Sequence, residues 1–334
     1  MVLIIEGQTI EKGPDSVSAL EQTFPVLAAR SRALRAAEIV TPSASNLLYV
    51  QQREFAVVAP SDDKIDVIGS DDATTCHLLV LRHTGSGVTS LAHFDGCGME
   101  DALARMILKI HRMSYGAPEG GRLEAHVVGG FIDDRGESVK LFDELFRLFR
   151  LTPHEIHLVT CCAVEANDVV GPDSIHFPVI YGLGVDCKTG ALFPATFPDR
   201  GPDDALRGAR HFSGTSRKRV IDVYDGTRQC LVVEPFDMEP WEDAGWWLVQ
   251  PDHQIRRCLS TSPRQEPEHF VAHIRRVLTF TVQNPSSLET FFPRGQAREY
   301  AKLPDGRWER MNEEEEVMVC VERGEEAPMG QREK

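Results

Sequence analysis

Cys76 and His93 are the two residues in this 334-residue chain whose types and spacing best suit chemistry. They bracket a predicted β-hairpin. Apolar runs from His77 to His83 and from Val88 to Phe94 surround the short turn Thr84-Gly85-Ser86-Gly87, and Gly-rich links of that length between β-rich runs read as hairpin loops. With an even-numbered loop, facing positions sum to 171, so Cys76 lies opposite Asp95 and Leu78 opposite His93. Strand side chains alternate, so these four point to one face. Cys76 and His93 then become diagonal neighbours, with Cα atoms on the order of 7 Å apart. A thiol beside an imidazole is the arrangement of a nucleophile with its general base. On the same count His77 and His83 point to the other face, and a one-residue change in the loop would reverse every assignment.

The run before the cysteine, Ser70-Asp-Asp-Ala-Thr-Thr75, is polar. Its hydroxyls, carboxylates and turn amides can orient a base and bind an oxyanion. Plainer readings compete: a buried structural thiol for Cys76, a satisfied core histidine for His93, and turn-shaping roles for Asp71 and Asp72. Zinc is a weaker alternative. Cys76, His83, His93 and Cys97 are suitable ligand types, but their spacing matches no paired CxxC or HxxxH pattern. The TGSG turn lacks a following GK[ST] and is not a phosphate loop. No cofactor is expected.

The elements that must hold this hairpin alternate irregularly. Residues 14–38 predict a helix capped by Asp15 or Ser16, and 47–58 a strand or two short strands. Residues 99–113 and 137–151 predict amphipathic helices; 123–131 and 155–164 predict strands. Hairpins are expected over 178–197, around Cys187 to Gly190, and over 220–236, at Asp225-Gly226. A helix is expected over 270–282, stopped by Asn284-Pro285. Cys161-Cys162 and Trp241, Trp246 and Trp247 read as packing residues. Hairpins with separated helices favour an α+β fold, with helices covering mixed or antiparallel sheets. Residues 1–310 are expected to form one catalytic domain. The acidic remainder, 311–334, reads as a solvated tail, with a short strand conceivable at Val317 to Val321.

Composition narrows the partners. A net charge of −15 leaves no basic stripe for nucleic acid; it reads first as an acidic, solubilising surface, and it would also suit a substrate bearing a positive charge such as a free α-ammonium. No apolar run can span a bilayer, and Met-Val-Leu-Ile-Ile followed by Glu6 reads as a short strand, not a signal sequence. The eight cysteines are scattered, so reduced thiols in a cytosolic or nuclear setting are expected.

Several motifs occur in one order: Leu48-Tyr-Val-Gln-Gln-Arg-Glu54, Gly69-Ser-Asp-Asp-Ala-Thr-Thr-Cys-His77, Arg82-His-Thr-Gly85, His126-Val-Val-Gly-Gly-Phe131, His176-Phe-Pro-Val-Ile-Tyr-Gly182, Asp199-Arg-Gly-Pro202 and Leu259-Ser-Thr-Ser-Pro263. With Arg122-Leu-Glu and His157-Leu-Val-Thr160, the chain from Leu3 to about Trp308 resembles the protein N-terminal asparagine amidohydrolases. More distantly, the Cys76–His93 spacing and a hydroxyl six positions before the cysteine, here Ser70, are similar to bacterial chemoreceptor glutamine deamidases and related deamidating toxins.

The first resemblance implies a cytosolic and nuclear hydrolase that converts an N-terminal Asn to Asp, feeding the Arg branch of the N-degron pathway, with Cys76 as nucleophile. The second implies a layered α/β sandwich with that nucleophile at one end of a sheet. On this reading His93 is the base, and Ser70 or a backbone carbonyl positions the imidazole. The amides around Thr75 and Cys76, with Ser70, would bind the oxyanion. Asp72, Asp95 and Glu54 are the candidates to receive the substrate ammonium. A papain-like peptidase, or a non-catalytic module that recognises protein N-termini, are the rival readings. Partners are proteins or peptides with a free N-terminal Asn; oligomeric state is not legible.

Overall fold

A computed structural model describes residues 2–116, 121–211, 218–237 and 241–311. The frame is a mixed eight-stranded sheet. Across it run Ile221–Asp222, Glu54–Val58, Thr89–Phe94, His77–His83, Leu123–Gly129, Glu155–Ala163, Val2–Ile5 and Gln8–Thr9. Alternation along the central strands sorts side chains between two cores. Leu79, Leu81, Ala92 and Phe94 join one cluster with Met106, Ile107, Leu145 and Phe149, from helices Met99–Met113 and Glu137–Leu151. Leu78, Val80 and Leu91 join the other, with Leu48, Ile68, Leu183 and Val185 from a four-stranded sheet. That second sheet orders Leu192–Pro194, Leu183–Asp186, Val67–Ser70 and Leu47–Tyr49. Helices, large sheet and small sheet therefore form an α+β sandwich.

The hairpin register is the one the turn predicts, with His77 paired to Phe94 and Leu78 to His93. Both central helices match their amphipathic stripes end to end. Leu47–Tyr49 and Glu54–Val58 are two strands, and they belong to different sheets.

Two expectations need correction. The long N-terminal helix is two, Val17–Thr23 and Pro25–Ala36. Pro25 disfavours helical geometry at Phe24, so the chain breaks and restarts with proline in the first turn. Ser16 caps the first helix, accepting from the Ala19 amide at 3.0 Å. The Asp225-Gly226 hairpin does not turn on two residues. Tyr224 and Asp225 pair with Leu231 and Cys230, and Asp225 Oδ1 accepts from the amides of Thr227 and Arg228 across a longer loop. Between Leu123–Gly129 and Glu155–Ala163, joined by helix Glu137–Leu151, the pairing is parallel, a βαβ unit inside a largely antiparallel pattern. The possible strand at Val317 to Val321 and the rest of the acidic tail beyond Met311 lie outside the described residues.

Among the described residues no helix is long and apolar enough to cross a membrane. Trp241 and Trp247 pack against Ile255, Val271 and Leu278 in a separate cluster.

Candidate active site

The two sheets meet at Ser70, Cys76 and His93. Val67–Ser70 ends on the small sheet at Ser70, residues 71–76 cross between layers, and the chain enters the large sheet just after Cys76. His93 comes from the neighbouring large-sheet strand, Thr89–Phe94. Ser70 Oγ and His93 Nδ1 lie 2.7 Å apart, both buried. That hydrogen bond joins the sheets. His93 Nε2 is buried without a hydrogen-bond partner among the described residues. Cys76 and His93 line one cavity of about 600 Å³, together with Thr75, Asp95, His211 and Glu266. The strand beside the cysteine is pressed close: Gly129 has φ +122°, and a Cβ there would sit 2.5 Å from the Cys76 carbonyl oxygen, so only glycine fits.

Burial, reinforced by the charges of Asp95 and Glu266, pushes the Cys76 thiol well above its ordinary pKa. Burial also brings His93 down to about 4. At rest Cys76 is a neutral thiol and His93 a neutral imidazole.

The crossing loop is clamped. Asp71 accepts from Tyr49 Oη at 2.7 Å and from the Phe197 amide at 2.9 Å. Asp72, at φ +57°, pairs with Arg200, and His269 Nε2 lies 3.0 Å from it. Arg200 reaches Asp71 as well, at 3.2 Å. Burial would raise Asp72, but the His269 hydrogen bond and the Arg200 charge hold it at about 2. Thr75 Oγ1 lies 2.9 Å from Thr261 Oγ1, tying the loop to the segment after helix Asp252–Leu259.

The three carboxylates expected to receive a substrate ammonium are all engaged. Asp72 faces the cavity with Arg200 and His269 already on it. Asp95 Oδ2 accepts from Arg53 Nε and Gln52 Nε2, each at 2.6 Å, and Oδ1 from the Cys97 amide at 3.1 Å. Glu54 is corrected outright, because it does not line this cavity. It is fully buried, pairing with Arg207 at 2.6 Å and accepting from the Gln51 amide at 2.8 Å. Burial alone would raise Glu54, and the charges of Arg207 and Arg210 hold it below the ordinary carboxylate range instead. It supports the fold.

Sequence reasoning missed several titratable lining residues, among them His211 and Glu266. Glu266 lies three positions beyond the Leu259–Pro263 motif, on a turn between two helices, where no periodicity marks it. His83, weighed above as a metal ligand, is bonded to Ser86 at the far end of the hairpin. Among the described residues no three His, Cys, Asp or Glu side chains converge as a metal site.

Comparison with known proteins bears directly on this geometry. The family model described as protein N-terminal asparagine amidohydrolase matches residues 36–310. The chain belongs to that family. The amidohydrolase of that name from Sus scrofa is 43% identical over 93% of this chain and 98% of its own length. The Homo sapiens protein is likewise 43% identical, over 93% of this chain and 99% of its own. The Arabidopsis thaliana amidohydrolase is 31% identical over 79% of this chain and 80% of its own. The SDDATTCH segment, the Ser70–His93 bond and the cavity all lie within the stretch that the amidohydrolase family model covers.

Proposed function

We propose that this protein hydrolyses the side-chain amide of an N-terminal asparagine, giving aspartate and ammonia through a thioester on Cys76. The observation that carries the reading is 43% identity across 93% of the chain with proteins named for that activity. The site supplies fitting chemistry. With Nδ1 donating to Ser70, His93 keeps its Nε2 lone pair for the Cys76 proton. The sulfur attacks the side-chain carbonyl, and the amides of Thr75 and Cys76 stabilise the oxyanion. Protonated His93 gives its proton to the departing ammonia. Water, deprotonated by the same imidazole, then cleaves the thioester.

One protein domain, residues 1–310, carries the reaction on this reading. Its product, an N-terminal Asp, is open to arginylation, which places the enzyme in the N-degron pathway of cytosol and nucleus. On this reading Ser70 acts on the imidazole, its oxygen accepting from Nδ1.

The test is a mass measurement on short peptides beginning with Asn, Gln or acetylated Asn. A gain of about 1 Da on the free Asn peptide, with a new carboxylate charge at neutral pH, is expected from the wild type and not from Cys76→Ala. Peptide-bond cleavage would favour a peptidase. Tight binding without ammonia release would favour a recognition module.

A further inference from the structure

An N-terminal residue differs from every internal one by its ammonium group, and a buried ammonium needs a counter-charge. Five carboxylates besides Glu266 line the cavity, and each has a cation: Asp71 and Asp72 share Arg200, Asp95 holds Arg53, Glu137 holds Lys140 and Glu144 holds Arg147. Glu266 differs. Its recorded side-chain partner is the hydroxyl of Ser260, which donates to Oε1, and the nearby Arg256 guanidinium is spent on the main-chain carbonyls of Glu266 and Pro267 at 2.8 and 3.1 Å.

Position agrees with charge. Glu266 lines both the Cys76 cavity and an adjoining groove, where it is joined by Asp71, Asp72, Tyr181 and Phe197. At an N-terminal Asn, ammonium, side chain and onward peptide diverge from a single Cα. With the side chain at Cys76 and the onward chain in the groove, the ammonium falls at the wall the two spaces share. Asp71 and Asp72 also stand on that wall, with Arg200 already against them.

We propose that Glu266 is the residue that recognises the substrate α-ammonium. The inference rests on the deamidase reading above and identifies what confines it to chain ends. Burial and the charge of Asp72 raise Glu266 to about 7, against the Ser260 hydrogen bond and the more distant charges of Arg256 and His269, as suits a carboxyl whose closely paired counter-ion arrives with the substrate. Ser260, held in turn by the Ser262 amide at 2.9 Å, fixes the carboxyl orientation.

The experiment compares two peptides in steady-state kinetics: one beginning with Asn, the other with a succinamoyl group, which keeps the side-chain amide and replaces the ammonium by hydrogen. Wild-type enzyme is expected to prefer the Asn peptide by about 30-fold or more in kcat/KM, the range for losing one partner of a desolvated charge pair. Glu266→Gln, which keeps the shape and an acceptor for Ser260, is expected to reduce that preference to near unity. Preference retained in Glu266→Gln would overturn the proposal while leaving deamidation standing. Equal losses on both peptides would also overturn it, showing a structural role. Wild-type failure to release ammonia from the Asn peptide would overturn the deamidase reading and this inference with it. Direct binding to Cys76→Ala supplies a second readout: adding Glu266→Gln is expected to weaken the Asn peptide by the same factor and leave the succinamoyl peptide unmoved.

Discussion

On the mechanism proposed above, His93 works with one nitrogen because the other is occupied. Ser70 Oγ, 2.7 Å from Nδ1, fixes ring rotation and leaves Nε2 buried without a partner among the described residues. Ser70→Ala frees the ring to rotate and tautomerise without touching substrate. It is expected to lower kcat by about 10- to 100-fold, part of what a positioned general base contributes, with KM little changed; steady-state rates of ammonia release check this. Much of this residue-scale picture was legible beforehand. Hairpin parity placed Cys76 and His93 on one face, because strand alternation is strict and the even loop held. Glu266 was not legible. Nothing local relates it to Cys76, and only the packing of the turn after helix Asp252–Leu259 against the crossing loop brings them to one cavity.

At the scale of the element, the crossing loop 71–76 is the critical piece, and Arg200 is its clasp. One guanidinium spans the carboxylates of consecutive residues, Asp71 and Asp72, and lies over the Tyr49 ring at 5.3 Å. Arg200→Met would leave two adjacent carboxylates, Asp71 buried and Asp72 half-buried, without their common cation. The expected cost is roughly 3 kcal/mol, the low end for orphaning a buried charge, since Asp72 keeps His269. Thermal unfolding should show it, and kcat should fall with it as the loop carrying Cys76 loosens. The clasp could not be read from sequence, because Arg200 joins the loop from about 130 positions downstream; a guanidinium announces a partner, never which. The amphipathic helices 99–113 and 137–151 were legible to the residue, since their faces are set by a local 3.6 period.

For the whole molecule, the large sheet buries several uncharged imidazoles. Burial brings His77, His93 and His126 each to about 4, against about 6.5 in an unfolded chain. The unfolded state thus takes up protons first as pH falls. Stability from these three is fully present above about pH 6.5 and drains away toward pH 4, each histidine contributing up to about 1.4 kcal/mol per pH unit. Denaturant midpoints measured between pH 7 and 4.5 are expected to fall steadily, most steeply below 6. Fold class was accessible from sequence because hairpins and isolated helices lack the alternation of a doubly wound sheet. The stacking of two sheets was not, since the same apolar strands would serve a single sheet under helices.

A thiol kept protonated at rest has a second life in oxidative chemistry. Peroxides and alkylating agents attack thiolates, and their reach follows exposure. Cys76, half-buried and held neutral by its surroundings, is shielded from both, whereas Cys258 stands exposed on the surface. Oxidant meeting this protein should mark Cys258 before Cys76, and on the mechanism proposed above the same desolvation shields the reacting cysteine while it waits for substrate.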